Sequence, residues 1–128
     1  MDLGIIITGH GRTASGLLSG LEMITGKNPN IIAIDFLQTD NYTLLDKSFE
    51  EAYKKLRLKD GIIVLSDVLG GTPFNRAYTS LKDKGNIRFI SGANFNLVYN
   101  LLNYQSDNLD DIIDYSIEKS RLELIEYR

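Results

Sequence analysis

The chain has 128 residues, 43% hydrophobic and 24% charged, which suits one globular domain with a single core and excludes a disordered tail or linker. A net charge of −3 and one short basic run, Lys54–Lys59, argue against nucleic acid, whose phosphates attract clustered cations; the run reads as the solvated end of a helix. There is no cysteine, hence no disulfide or thiolate metal site, and the Ile5-Ile6-Ile7 run is too short for a signal peptide or a membrane span, so the expectation is a cytoplasmic protein.

In chain order, Leu3–Thr8 is the first of four short apolar runs rich in branched side chains; the others are Ile31–Phe36, Gly61–Ser66 and Ile87–Ser91. Such runs predict strands covered on both faces. After the first, Leu17, Leu21 and Ile24 recur at helical spacing and Gly26 stands where a helix would stop. After the second, Leu45, Phe49, Ala52 and Leu56 form a stripe, with Thr43 and Asp46 placed as a capping box. After the third, Thr72 and Pro73 read as N-cap and first helical residue ahead of Phe74, Ala77 and Leu81. Asn96–Leu102 and Leu109–Ile117 read as two further helices. Arg121–Tyr127 has two readings: an edge strand, from the alternation of Leu122 and Leu124, or a continued helix on the face of Ile113 and Ile117. The strand is preferred. Strands alternating with helices predict an α/β, doubly wound, flavodoxin-like sheet of four parallel strands in order 2-1-3-4, helices on both faces, in one domain over residues 1–128.

Open parallel sheets bind ligands beyond the carboxyl ends of their strands. That rule selects two loops, Thr8–Arg12 after the first strand and Ser66–Pro73 after the third. In the order 2-1-3-4 those strands are neighbours, about 4.8 Å apart, so His10 and Asp67 project from adjacent ends. His10 is the only histidine. A neutral imidazole is a nucleophile near pH 7, and a carboxylate on one ring nitrogen fixes the tautomer so that the other presents its lone pair. Gly9 and Gly11 remove bulk on either side for an in-line phosphate. The N–H groups opening the first helix (Thr13, Ala14) and the third (Gly71, Thr72) suit the arriving dianion. His10 and Asp67 are thus the candidate catalytic pair, with Gly11, Thr13, Ala14, Gly71 and Thr72 as candidate phosphate contacts. Each has a plainer explanation when taken alone: Asp67 as a helix cap, Gly70-Gly71 as a tight turn, Thr72-Pro73 as a helix start, Arg12 as a surface residue, and Tyr78, Phe95 and Tyr99 as packing. Their predicted meeting on one edge is what speaks for a site.

These residues resemble the enzyme IIA component of the mannose family of the phosphoenolpyruvate-dependent sugar phosphotransferase system. The resemblance rests on Gly9-His10-Gly11, the Leu17-Leu18 helix, Ile34-Asp35-Phe36, and above all Ser66-Asp67-x-x-Gly70-Gly71-Thr72-Pro73-Phe74-Asn75. It implies that His10 is phosphorylated and Asp67 is its hydrogen-bonded partner, with no metal or nucleotide cofactor. It implies a histidine-containing phosphocarrier protein as donor and a IIB component as acceptor. It also implies a homodimer in which a C-terminal antiparallel edge strand crosses to the other subunit, giving Leu122–Tyr127 a role. The chain departs from the family pattern at Leu69, where an aromatic is usual, and at Val68, where some members have a hydroxyl; Thr72 is the substitute for that hydroxyl contact.

Gly9-x-Gly11-x-x-Ala14 also satisfies a dinucleotide fingerprint, with Asp35 as the ribose-binding acid. A histidine between the glycines would crowd the pyrophosphate, no segment remains for a substrate domain, and the Gly70–Pro73 element would have no purpose. No G-x-x-x-x-G-K-[ST] occurs, which removes a P-loop kinase. A IIA-like phosphoryl donor in dihydroxyacetone phosphorylation, or a sensor in a transcriptional regulator, would keep the fold and change only the partner.

Overall fold

The computed structural model describes all of residues 1–128, in two compact units: Asp2–Ala93, and Asn94–Arg128 together with Met1. The first unit carries β1 (Leu3–His10), α1 (Thr13–Thr25), β2 (Ile31–Phe36), α2 (Tyr42–Leu56), β3 (Gly61–Ser66), α3 (Thr72–Leu81) and β4 (Ile87–Ser91). All strand pairs are parallel and the order is β2-β1-β3-β4, as the alternation of strands and helices predicts. Every residue of β3 is buried, as in a strand covered on both faces.

Strand alternation sends Ile6, Ile62 and Val64 to one face. There they pack with Leu45, Phe49, Ala52 and Leu56 of α2 and Ala77 and Leu81 of α3. Ile5, Ile7, Ile63 and Leu65 take the opposite face, on the side of α1, whose buried residues are Ala14 and Leu21. Gly26 ends α1 at φ +75°, a conformation that favours glycine, and its N–H returns to the Glu22 carbonyl. Lys54 and Lys55 lie in the last turn of α2, where cations complement the helix dipole.

Two helix starts differ from the sequence reading. The cap of α2 is Asn41, whose side chain accepts from Leu44 N–H at 2.9 Å, while Thr43 lies inside the helix. The capping-box spacing fitted Thr43, but Asn41 is the residue in extended conformation, and such a cap is worth about 1 kcal/mol. In α3 the cap is Gly71, so Thr72 and Pro73 are the first two helical residues; Pro73 costs nothing there because it has no N–H to satisfy.

The second unit contains α4 (Phe95–Asn103) and α5 (Leu109–Leu122), with Asn94 and Asn108 as side-chain caps. Tyr104 and Tyr115 stack with centroids 4.0 Å apart. The preferred strand over Arg121–Tyr127 does not form. Arg121 and Leu122 complete α5, Glu123 caps it, and residues 124–128 have no regular structure. The buried Asn100 amide donates to Ser120 Oγ at 3.1 Å and Glu123 Oε1 at 2.8 Å, tying the last turn of α5 to α4 and favouring helix. Leu124 and Tyr127 are 90% and 94% exposed. No helix is long and apolar enough to cross a membrane.

Candidate active site

β1 runs two residues beyond the predicted Thr8, because Gly9 and His10 continue the ladder opposite Asp35 and Phe36 of β2. On its other side the ladder with β3 stops at Thr8 opposite Ser66. Asp67, the next residue along, is therefore free to turn its carboxylate across Gly9 toward His10. One oxygen, Oδ2, accepts from both His10 N–H at 2.9 Å and the ring Nδ1 at 2.8 Å; the other accepts from Val68 N–H at 2.9 Å. Burial pushes the Asp67 carboxyl up, but the hydrogen bonds and charge of His10, with that of Val68 N–H, outweigh it and hold it below the usual carboxylate range. An ionised carboxylate only accepts, so Nδ1 carries the proton, and in the neutral ring Nε2 is left with its lone pair. The histidine side chain is half exposed.

The missing side chains of two glycines make this contact possible. A Cβ on Gly9 would overlap Thr13 Oγ1 and stand 3.1 Å from Asp67 Cγ. A Cβ on Gly71 would lie 2.8 Å from His10 Cε1, so the ring and the α3 cap occupy one small space. We expect Gly9→Ala to lose about 1–3 kcal/mol of stability through overpacking. Gly16→Ala, which meets open space inside α1, should be neutral or slightly stabilising. Thermal denaturation of the two variants checks the contrast, and equal midpoints would refute it.

Several side chains that the sequence reading passed over buttress the site. The Phe36 ring stands edge-on to the imidazole, centroids 6.2 Å apart at 73°. Thr13 Oγ1 donates to the His10 carbonyl at 2.8 Å, and Asn75 Nδ2 donates to the Gly70 carbonyl at 2.9 Å, bracing the turn that Gly70 makes at φ +82°. Asn75 stood in the motif after Pro73, but spacing alone gave it no contact. Farther out, Phe36 neighbours Tyr42, which Arg76 covers at 5.3 Å; Arg76 in turn forks onto the Asp46 carboxylate and holds it below the usual carboxylate range.

Two of the expected phosphate contacts already spend their N–H groups elsewhere: Gly11 on the Phe36 carbonyl at 2.8 Å and Gly71 on the Val68 carbonyl at 3.2 Å. The N–H groups of Thr13, Ala14 and Thr72 have no protein acceptor. Asp35, the acid a dinucleotide site would need, instead accepts from Ser15 N–H at 2.9 Å and Ser15 Oγ at 2.6 Å, anchoring the first turn of α1. Tyr78 is a packing residue as expected, stacked on Phe74 and edge-on to Phe89.

The family described as "PTS system fructose IIA component" (EIIA-man) matches residues 4–116, a span that includes parts of both units. The chain belongs to this IIA family. Among its relatives, the PTS system mannose-specific EIIAB component of Escherichia coli K12 is 31% identical over 123 residues, covering 94% of this chain and 38% of that protein. The chain thus spans well under half the length of that relative. The PTS system fructose-specific EIIA component of Bacillus subtilis is 27% identical over 100 residues, 78% of this chain and 68% of that one. Among solved structures, phosphotransferase component EIIA from Streptococcus agalactiae superposes with TM-score 0.84 at 26% identity, over 97% of this chain and 96% of the other. The mannose/sorbose-specific IIA subunit from Enterococcus faecalis has the same fold, at TM-score 0.84 and 22% identity, over 100% of this chain and 98% of its own. Val68 and Leu69, which follow Asp67, are both exposed.

Proposed function

We propose that this IIA component carries a phosphoryl group on Nε2 of His10. It takes the group from the histidine-containing phosphocarrier protein and passes it to a IIB component during sugar uptake. The observation that carries the reading is the 2.8 Å contact between His10 Nδ1 and an Asp67 carboxylate kept ionised, which commits Nδ1 to hold the proton and Nε2 to attack. In the transfer, the Nε2 lone pair forms a bond to phosphorus as the donor's P–N bond breaks, and the donor imidazole keeps the electron pair. The proton on Nδ1 stays in its hydrogen bond, and Asp67 stabilises the positive charge that develops on the ring. The reverse attack, by the acceptor's nucleophile, regenerates the starting tautomer.

The free N–H groups of Thr13, Ala14 and Thr72 are the donors for the phosphoryl oxygens, with Gly11 and Gly71 keeping the approach open. No metal or nucleotide enters this scheme. The protein acts in the cytoplasm as one IIA domain. It pairs as a homodimer in which the exposed residues past α5, Leu124–Tyr127, add an edge strand to the other subunit's sheet.

Incubation with phosphoenolpyruvate, enzyme I and the phosphocarrier should add a single phosphate, labile in acid and stable in base, as read by intact mass. An unmodified protein under conditions that phosphorylate a control IIA would overturn the proposal.

A further inference from the structure

We infer that Arg12 is the cation that pairs with the phosphoryl group on His10, an inference that rests on the carrier function proposed above. The argument begins with charge. Asp67 supplies a full negative charge against one side of the imidazole, and a phosphoryl group on Nε2 adds nearly two more on the other side of the same small ring. The single positive charge that the ring gains when Nε2 bonds to phosphorus offsets only part of these, so holding a phosphoryl group there calls for further compensation. The Arg76 guanidinium is already engaged: it is forked onto Asp46 through Nε and Nη2 and laid over Tyr42.

Arg12 is differently placed. It is exposed, and its guanidinium has neither an ion pair nor a hydrogen bond. Its Cα is two residues from that of His10, a separation of at most about 7.6 Å by chain geometry. The backbone between them is held firmly. Gly11 turns at φ +58° and donates to the Phe36 carbonyl, Thr13 Oγ1 closes back on the His10 carbonyl, and Arg12 O accepts from Gly16 N–H at the start of α1. A long, unpaired, planar cation thus extends from a backbone position held two residues from His10, and its fork matches phosphoryl oxygens. Arg12 therefore touches the transferred group itself and stabilises the phosphorylated state.

Arg12→Gln keeps the length and helix compatibility of the side chain and removes the charge. With the phosphocarrier as donor, the variant's equilibrium should move back toward phosphorylated donor by about two- to fivefold, the range for an exposed charge pair. The difference should fade as salt approaches 1 M. The ³¹P signal of the phosphorylated variant should titrate at a higher pH than that of the wild type, because the cation no longer favours the dianion, and Arg12→Lys should recover part of both effects. Unchanged equilibrium and titration in a folded, phosphorylated Arg12→Gln protein overturn this inference and leave the carrier function standing. Failure of the wild type to accept phosphate at His10 overturns both.

Discussion

Alanine at position 10 is expected to leave a folded protein that accepts no phosphate at all. The imidazole is half exposed, its ring meets mainly Asp67, Phe36 and the backbone of Gly71, and none of the packed core depends on it. His10 N–H, which also binds Asp67 Oδ2, survives the substitution, so the β1 end keeps one of its two ties to the carboxylate. Stability should fall by no more than about 1 kcal/mol, since a half-exposed side chain has little buried area to lose. The phosphoryl acceptor is lost outright, because the sequence has no second histidine. Intact mass after incubation with the full donor chain reads the result. A residual acid-labile phosphate on the variant would falsify the assignment of the acceptor.

Asp67→Asn should be the more instructive variant, since it preserves shape and inverts the logic of the hydrogen bond. An asparagine oxygen can still accept from His10 N–H, but if its amide nitrogen turns to the ring it donates to Nδ1. The proton then moves to Nε2, and the atom that should attack has no lone pair to offer. With its oxygen facing the ring instead, the contact survives but the negative charge that stabilises the imidazolium is gone. Either way transfer should slow by about 10²–10⁴-fold, the usual range for losing a positioned acid or base. Rapid-quench transfer kinetics measure the loss, and ¹⁵N shifts of the imidazole report the tautomer. Wild-type kinetics in this variant would make Asp67 a purely structural residue.

The same substitution has a pH signature. The Asp67 carboxyl is held below its usual range in the fold, so its contribution to stability is present above the unfolded value, near 3.8, and is lost as pH falls through the lower folded value. The wild type should therefore exceed Asp67→Asn in thermal stability by most at neutral pH, and the gap should narrow on acidification below about pH 4. A gap that widens in acid contradicts the ionised, hydrogen-bonded carboxylate.

Much of this was legible in one dimension. Apolar runs bounded by turn residues marked three of the four strands to the residue, and the alternation with amphipathic stretches dictated a parallel sheet. The rule that ligands sit beyond strand ends brought His10 and Asp67 together, and the order β2-β1-β3-β4 shows why it could: the two strands that carry them are neighbours. Local signals failed where several residues competed for one backbone group. Thr43 had the capping spacing, but Asn41 was already in extended conformation one residue outside the helix. Asp35 fitted a ribose contact by position, but Ser15 on the adjoining helix takes both its oxygens.

The sequence by itself determined the alternation of strands and helices in the sheet-bearing unit and singled out one histidine as the candidate nucleophile, because hydrophobic periodicity and a unique side chain are properties of the chain alone; the expected α1 stripe held at Leu21 but not at Ile24, which is exposed. Only the tertiary structure decided which oxygen meets which nitrogen. The ladder from β1 to β3 ends one residue before Asp67, and Gly9 has no Cβ to bar its carboxylate, so a single Oδ2 serves both the N–H and the ring of His10. It also decided the fate of Arg121–Tyr127, since alternation and helical spacing were equally present there and the tie from Asn100 to the last turn tipped Arg121 and Leu122 into helix. Contacts between residues distant in sequence carry free energies of the same order as local preference, so wherever local preference is balanced they choose.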